Sequence, residues 1–180
     1  MSDIIKNNIF LPLFLLAGLF ATNTISADNI ERVLHHVDNK QVACLAKNIY
    51  FEAGHESMEG KAAVARVVIN RVHHGFGSTP CAVVYQSKTV MKNDEPVKVC
   101  QFSWVCENKT LPNVNNKEYQ NSLQVAYEVL ALDMYKEVIP RSVLFFHNLS
   151  VEINSSWPYK KVKQIGNHIF YSKQRDKNKQ

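Results

Sequence analysis

The sequence is short of several things that would place it elsewhere. Six glycines and six prolines among 180 residues are too few for a collagen-like or low-complexity chain. No apolar run reaches the roughly 20 residues that a membrane-spanning helix needs; the longest, Ile9 to Ala21, has 13. Four cysteines are present but no C-x-x-C pair, so the spacing of a structural zinc site is missing. His55-Glu56 lacks the second histidine of H-E-x-x-H, which rules out a zincin. A G-x-S-x-G elbow, a glycine-rich phosphate loop, a dinucleotide fingerprint and an internal repeat are all missing too. No metal and no cofactor is expected.

The first 27 residues differ from the rest. Lys6 and the free amine precede the apolar run, and Ile25-Ser26-Ala27 supplies small residues where a peptidase would cut. That is the plan of a secretory signal peptide, with a single mature domain over residues 28–180 and a basic tail over 173–180. An uncleaved anchor is the rival reading. Export makes the protein periplasmic or secreted, with no stable membrane span after cleavage. All four cysteines, Cys44, Cys81, Cys100 and Cys106, lie in the mature part, and an even count in an exported chain reads as disulfides. Three connectivities exist. The short spacing of Cys100 and Cys106 makes Cys100–Cys106 with Cys44–Cys81 the first choice. The net charge of +5 suits an anionic partner such as cell-wall polymer. Nucleic acid is not expected, because the basic residues are scattered and no recognition motif accompanies them.

Periodicity gives the organisation. Asp28 to Asn39 reads as a short helix or lead-in, and its His35-His36 pair as surface. Gln41 to Ala53 carries Val42, Leu45, Ala46, Ile49 and Tyr50 on one helical face, and Gly54 stops or bends it. Ser57 caps a second helix, with Glu59 in its first turn, running to about His73. Thr79-Pro80 opens a short helix through about Gln86. Ser87 to Val99 is a loop or loose hairpin around Asn93-Asp94-Glu95-Pro96. Asn116 to Val138 predicts the longest helix. Val143 to Phe146 is strand-like and ends in His147-Asn148, while Tyr159 to Ile165 and His168 to Tyr171 form a hairpin about Gly166-Asn167. The sum is an α+β domain dominated by helix, with a small antiparallel element.

The chemistry centres on Glu52. It follows the apolar Ile49-Tyr50-Phe51 and stands just before a helix end. A carboxyl there sits half in the core and half in a cleft. Burial raises its pKa, as a general acid near neutral pH requires. Glu56 and Glu59 read as charges at the start of the next helix.

Four blocks then stand in order. They are Cys44 to Ala53; Glu59 to Val72 with Asn70-Arg71-Val72; Cys100 to Cys106 with Gln101-Phe102-Ser103; and Phe145-Phe146-His147-Asn148 with Ile165 to Tyr171. Over residues 42–172 the chain resembles the cell-wall hydrolase family typified by the spore cortex-lytic enzyme. The resemblance implies a lysozyme-like fold and peptidoglycan glycan strands as partner and substrate. The β-1,4 bond between N-acetylmuramic acid and N-acetylglucosamine would be cut by a lytic transglycosylase using Glu52 alone, its product a 1,6-anhydro sugar. A two-carboxylate hydrolase would need a second acid, for which Glu56, Glu59, Asp94 and Glu107 are candidates. Gln101, Ser103 and Trp104 are candidates for the cleft lining, as are His147 and Asn148. Phe102 and Trp104 have core as their alternative, and Asn70-Arg71 a structural role. The chain departs from the family at Gly54-His55, where relatives read arginine and glycine; His55 or Lys61 is placed to compensate. Alternative readings are a non-catalytic peptidoglycan-binding protein of the same fold, or a wall amidase.

Overall fold

The computed structural model describes residues 38–111, 113–153 and 156–173. The leader, the His35-His36 pair and most of the basic tail lie outside them. Among the described residues five helices and five strands follow one another: α1 (Asn39–Ala53), α2 (Met58–His73), α3 (Pro80–Val84), β1 (Ser87–Lys92), β2 (Glu95–Cys100), α4 (Ser103–Cys106), α5 (Lys117–Ala131), β3 (Val143–Asn148), β4 (Tyr159–Ile165) and β5 (His168–Lys173). Helix outweighs strand, and the strands form two small antiparallel sheets, β1-β2 and β3-β5-β4. The expected α+β architecture is the observed one.

Local chemistry starts the helices where the sequence places them. Asp38 accepts from the Lys40 amide at 2.8 Å, Ser57 from Gly60 and Thr79 from Ala82, both at 3.2 Å, so each helix has one of its orphan N–H groups satisfied. The apolar stripe Val42, Leu45, Ala46 and Ile49 of α1 is buried against Ala62, Ala65 and Val68 of α2 and Val125, Ala126 and Val129 of α5. The alanines of α2 let the helices approach closely. A second cluster joins Ala63, Val64 and Val67, on another side of α2, to Ile139, Val143, Ile165 and Phe170. Helix α2 is therefore buried on two sides and ties the helical layer to the sheet. Each fully buried side chain such as Leu45, Ile49 or Phe170 contributes roughly 1.5–3 kcal/mol.

Polar side chains at the end of α2 fix the sheet. Buried Asn70 donates from Nδ2 to the carbonyls of Pro140 and Val143, at 3.0 and 2.9 Å. Arg71 donates from Nε to the Leu144 carbonyl at 2.8 Å. Strand β3, at the edge of its sheet, is thereby held by two residues of the last turn of α2.

Two disulfides are present, Cys44–Cys81 and Cys100–Cys106. The first joins α1 to α3, and the second ties the base of the β1-β2 hairpin to α4. That hairpin is exposed on both faces, which is why its sequence shows no alternation.

One boundary differs from the sequence reading. Helix α5 ends at Ala131, not near Val138. Asp133 and Tyr135 adopt positive φ, 48° and 62°, conformations a helix cannot contain. A tertiary clamp imposes them. Arg66 of α2 donates to Asp133 Oδ1 at 2.9 Å and to the Met134 carbonyl, and the Tyr135 hydroxyl donates to Glu128 at 2.7 Å.

Candidate active site

Glu52 stands in the last turn of α1, at the rim of the buried stripe, and is half-buried. It lines a cavity of about 380 Å³ together with His55, Glu56, Asn148, Asn167 and His168. Three elements meet there: the end of α1, the end of β3, and the β4-β5 turn. Burial pushes the Glu52 carboxyl up to about 7 from 4.5; Arg71 and Lys109 pull it down, and Glu107 pushes it further up. A carboxyl half-protonated at neutral pH can both give and take a proton.

Arg71 is the main opposing charge. The residue is 4% exposed; its guanidinium donates to the Leu144 carbonyl and leaves Nη1 without a partner among the described residues. It lies 5.2 Å from the centre of the Phe102 ring and 5.8 Å from that of Phe145. Burial lowers its pKa to about 10, while Glu52 and Tyr159 oppose the change. Glu52 thus faces a desolvated cation that favours its ionised form, and burial that favours its neutral one. Desolvation is the larger effect.

Glu56 is not at a helix start. It occupies the turn between α1 and α2 and reaches across to the β4-β5 turn, where Oε1 accepts from the Asn167 amide at 3.2 Å and lies 3.5 Å from His168 Nδ1. Gly166, at φ 53°, allows this approach, since a Cβ there would overlap the Glu56 carboxylate. Burial lowers the pKa of His168, which favours the neutral ring, although Glu56 opposes this. Lys61 is buried and donates from Nζ to the Glu56 carbonyl at 2.5 Å, so its ammonium secures the same turn. Glu59 pairs with Lys163 at 3.0 Å on the surface, and Glu107 with Lys109 at 2.9 Å.

The departure at Gly54 has a steric side. A Cβ on Gly54 would come within 2.5 Å of the Tyr50 carbonyl oxygen, so this backbone leaves no room for an arginine. His55 is exposed on the cavity rim.

The remaining candidates divide. Asn148 lines the Glu52 cavity, and His147 is adjacent, with Nε2 2.7 Å from the Tyr171 hydroxyl and Nδ1 2.8 Å from the Asn148 carbonyl oxygen. Gln101 lines a different cavity, about 430 Å³, with Phe76, Gln86 and Lys88 at the foot of the β1-β2 hairpin. Ser103 is exposed at the start of α4 and hydrogen-bonds Glu107. Trp104 is 6% exposed; it stacks on Phe51 at 4.7 Å and donates from Nε1 to Asn48 Oδ1 at 3.1 Å. Its indole backs Phe51 and lines, with Lys47, Tyr85 and Lys109, a separate cavity of about 380 Å³ rather than the one around Glu52. The reading of the residues alone had not given Arg71 or Asn167 a part in the site. The signal for Arg71 was the Asn70-Arg71-Val72 block, and for Asn167 its place in the Gly166-Asn167 turn.

Among curated proteins none matches the chain. The catalytic domain of the SleB protein of Bacillus cereus has a similar structure, with a TM-score of 0.51 and 18% identity, covering 75% of this chain and 91% of that one. At that identity the likeness speaks to the fold alone, an α+β one of lysozyme-like kind. The sequence profile of the cell wall hydrolase family matches residues 55–171, about two thirds of the chain. That span begins three residues after Glu52 and takes in Arg71, Asn148, Asn167 and His168, while the α1 side of the cleft, Tyr50 to Gly54, lies before it. The chain belongs to the cell wall hydrolase family.

Proposed function

We propose that the protein cleaves peptidoglycan glycan strands at the β-1,4 bond between N-acetylmuramic acid and N-acetylglucosamine, as a lytic transglycosylase with Glu52 as acid and base. The observation that carries this is the Glu52 carboxyl, half-buried in a cleft with its pKa raised to about 7. In its neutral form Glu52 protonates the glycosidic oxygen, and the bond from that oxygen to C1 of the muramyl residue breaks. The charge left on Glu52 is then favoured by Arg71, which burial keeps undiluted by water. The 6-hydroxyl of the same muramyl residue attacks C1 and passes its proton to Glu52. The 1,6-anhydro bond closes and the acid is restored, so one carboxyl suffices.

A hydrolytic muramidase is the second reading, because Glu56 lines the same cavity and such an enzyme uses two carboxylates. The bond from Asn167 and the nearness of His168 give Glu56 the task of holding the β4-β5 turn, which favours the one-carboxylate route. Both disulfides suit an oxidising compartment. With residues 1–27 removed as a signal peptide, the enzyme would work in the periplasm or outside the cell. The test is digestion of purified peptidoglycan and mass spectrometry of the fragments. Anhydromuramyl ends are expected. Reducing ends would replace the transglycosylase by a muramidase, free stem peptides by an amidase, and no release by a binding protein.

A further inference from the structure

The cavity that Trp104 lines has a composition unlike that of the Glu52 cleft. Its floor is apolar. Trp104 stacks on Phe51, and Tyr85 meets the indole edge-on at 5.8 Å, so these rings are held by one another and form a fixed surface. Its rim is cationic. Lys47 of α1 and Lys109, just after α4, line it, and no acidic residue does so among the described residues.

The two lysines differ in what they already hold. Lys109 pairs with Glu107 at 2.9 Å, but the side chains are 50% and 48% exposed, and a pair so open to water is weak. Lys47 has no hydrogen bond and no ion pair among the described residues, although it is half-buried at the edge of the aromatic floor. An ammonium drawn partly out of water without a counter-charge is stabilised by any anion that reaches it.

Helix geometry sets this cavity against the cleft. Lys47 and Phe51 stand four residues apart, on one face of α1, so the cavity runs back one turn from the turn that carries Glu52. Phe51 lines both cavities and is their common wall. Lys109, on the rim, is near enough to the Glu52 carboxyl to draw its pKa down. A ligand seated at Glu52 therefore has this cavity within reach past one side chain.

We propose that this cavity receives the stem peptide of the muramyl residue bound at Glu52, with a peptide carboxylate on Lys47 and Lys109 and alanyl methyl groups on the floor of Phe51, Trp104 and Tyr85. The proposal rests on the reading of peptidoglycan as the substrate, and it narrows that substrate to strands whose peptides are present and charged. Charge decides between this occupant and a further length of glycan. In an intact strand the sugars are neutral and the peptides carry the carboxylates, so sugar rings placed here would leave Lys47 unpaired. Small apolar groups beside a carboxylate suit a cavity whose floor is aromatic and whose rim is basic.

The test uses the purified protein and two soluble peptidoglycan strands of equal length, one with its stem-peptide carboxylates free and one with them converted to amides. Wild type should cleave the first with a kcat/KM about ten-fold higher, the loss expected when a charged hydrogen bond is removed. Lys47→Met should bring that ratio down to about two, and Lys47→Arg should keep it; a merely structural role for Lys47 would change both strands alike. Equal cleavage of the two strands by wild type would overturn the proposal, and that comparison decides even if Lys47→Met fails to fold. A ratio that survives in folded Lys47→Met would overturn it too. Binding of both strands in a Glu52→Gln background separates the cavity from the chemistry. If wild type cleaves neither strand, yet the charged one binds about ten-fold more tightly and loses that advantage with Lys47→Met, the cavity stands and glycan cleavage does not. Oligothymidylate that binds as tightly as the charged strand, and through Lys47, would make this a general anion site and overturn the assignment.

Discussion

Replacing Glu52 by glutamine removes a carboxyl whose ionisation the fold resists, and the effect on stability can be worked from its pKa. The folded value is raised to about 7 from 4.5. The native state therefore holds a proton that the unfolded chain releases between those values. Stability from this group is complete below about pH 4.5, declines as pH rises through the window, and is lost above about 7. A shift of that size corresponds to about 3 kcal/mol at pH 8 and to a few tenths at pH 4, at about 1.4 kcal/mol per pKa unit. The glutamine variant carries no such penalty. Its amide can introduce a polar mismatch of its own, but that offset is the same at every pH and cancels when melting curves are compared across pH. Thermal unfolding of both proteins should show Glu52→Gln gaining on wild type by about 3 kcal/mol between pH 4 and pH 8. For a domain of this size that is on the order of 10 °C in Tm. A difference that stays constant across the range would mean that Glu52 titrates normally, and the case for it as an acid at neutral pH would fail.

Three further outcomes follow from the same structure. Cleavage of peptidoglycan should fall on the alkaline side as Glu52 loses its proton, with the limb near pH 7; Arg71→Met should move that limb upward, since Arg71 now holds the Glu52 pKa down. A limb in the same place in a folded Arg71→Met variant would remove Arg71 from the electrostatics of the site. Losing the Cys44–Cys81 bridge, which spans 37 residues, should cost about 4 kcal/mol in denaturant unfolding, against about 2 for Cys100–Cys106 with its span of 6; equal losses would contradict the loop-closure account. Trp104→Phe should destabilise the fold by about 1–2 kcal/mol, because it leaves buried Asn48 Oδ1 without its donor, and denaturant midpoints would show this directly.

What the sequence revealed was mostly what local chemistry controls. Ser57 and Thr79 cap helices because a short side-chain oxygen reaches the first free amides wherever it stands. Gly166-Asn167 turns the last hairpin for an equally local reason. The end of α5 was illegible because the apolar period continues through Met134 and Val138, and only Arg66, 67 residues away from Asp133, interrupts it. In the site, Glu52 could be picked out as an acid at a helix end. The upward direction of its pKa was legible too, from a half-buried place at a helix end, but its extent was not, since that depends on Arg71 from another helix and on the packing itself. The two tryptophans show the same limit. Trp104 lies in the aromatic-rich disulfide segment and Trp157 beside a proline in a loop, yet Trp104 is the buried one and Trp157 keeps a partly open ring. Glu56 lies close to the helix it was expected to start, and only the return of the chain at Gly166 and Asn167 shows that it spans the cleft.

The central claim is that Glu52 carries the proton in glycan cleavage, and the most direct measurement is the rate of fragment release from purified peptidoglycan by wild type and Glu52→Gln at pH 6. The account predicts a fall of about 10²–10⁴-fold, the usual share of a general acid–base group, in a variant whose melting temperature is unchanged or higher. Release by the folded variant at a rate near that of wild type would contradict it.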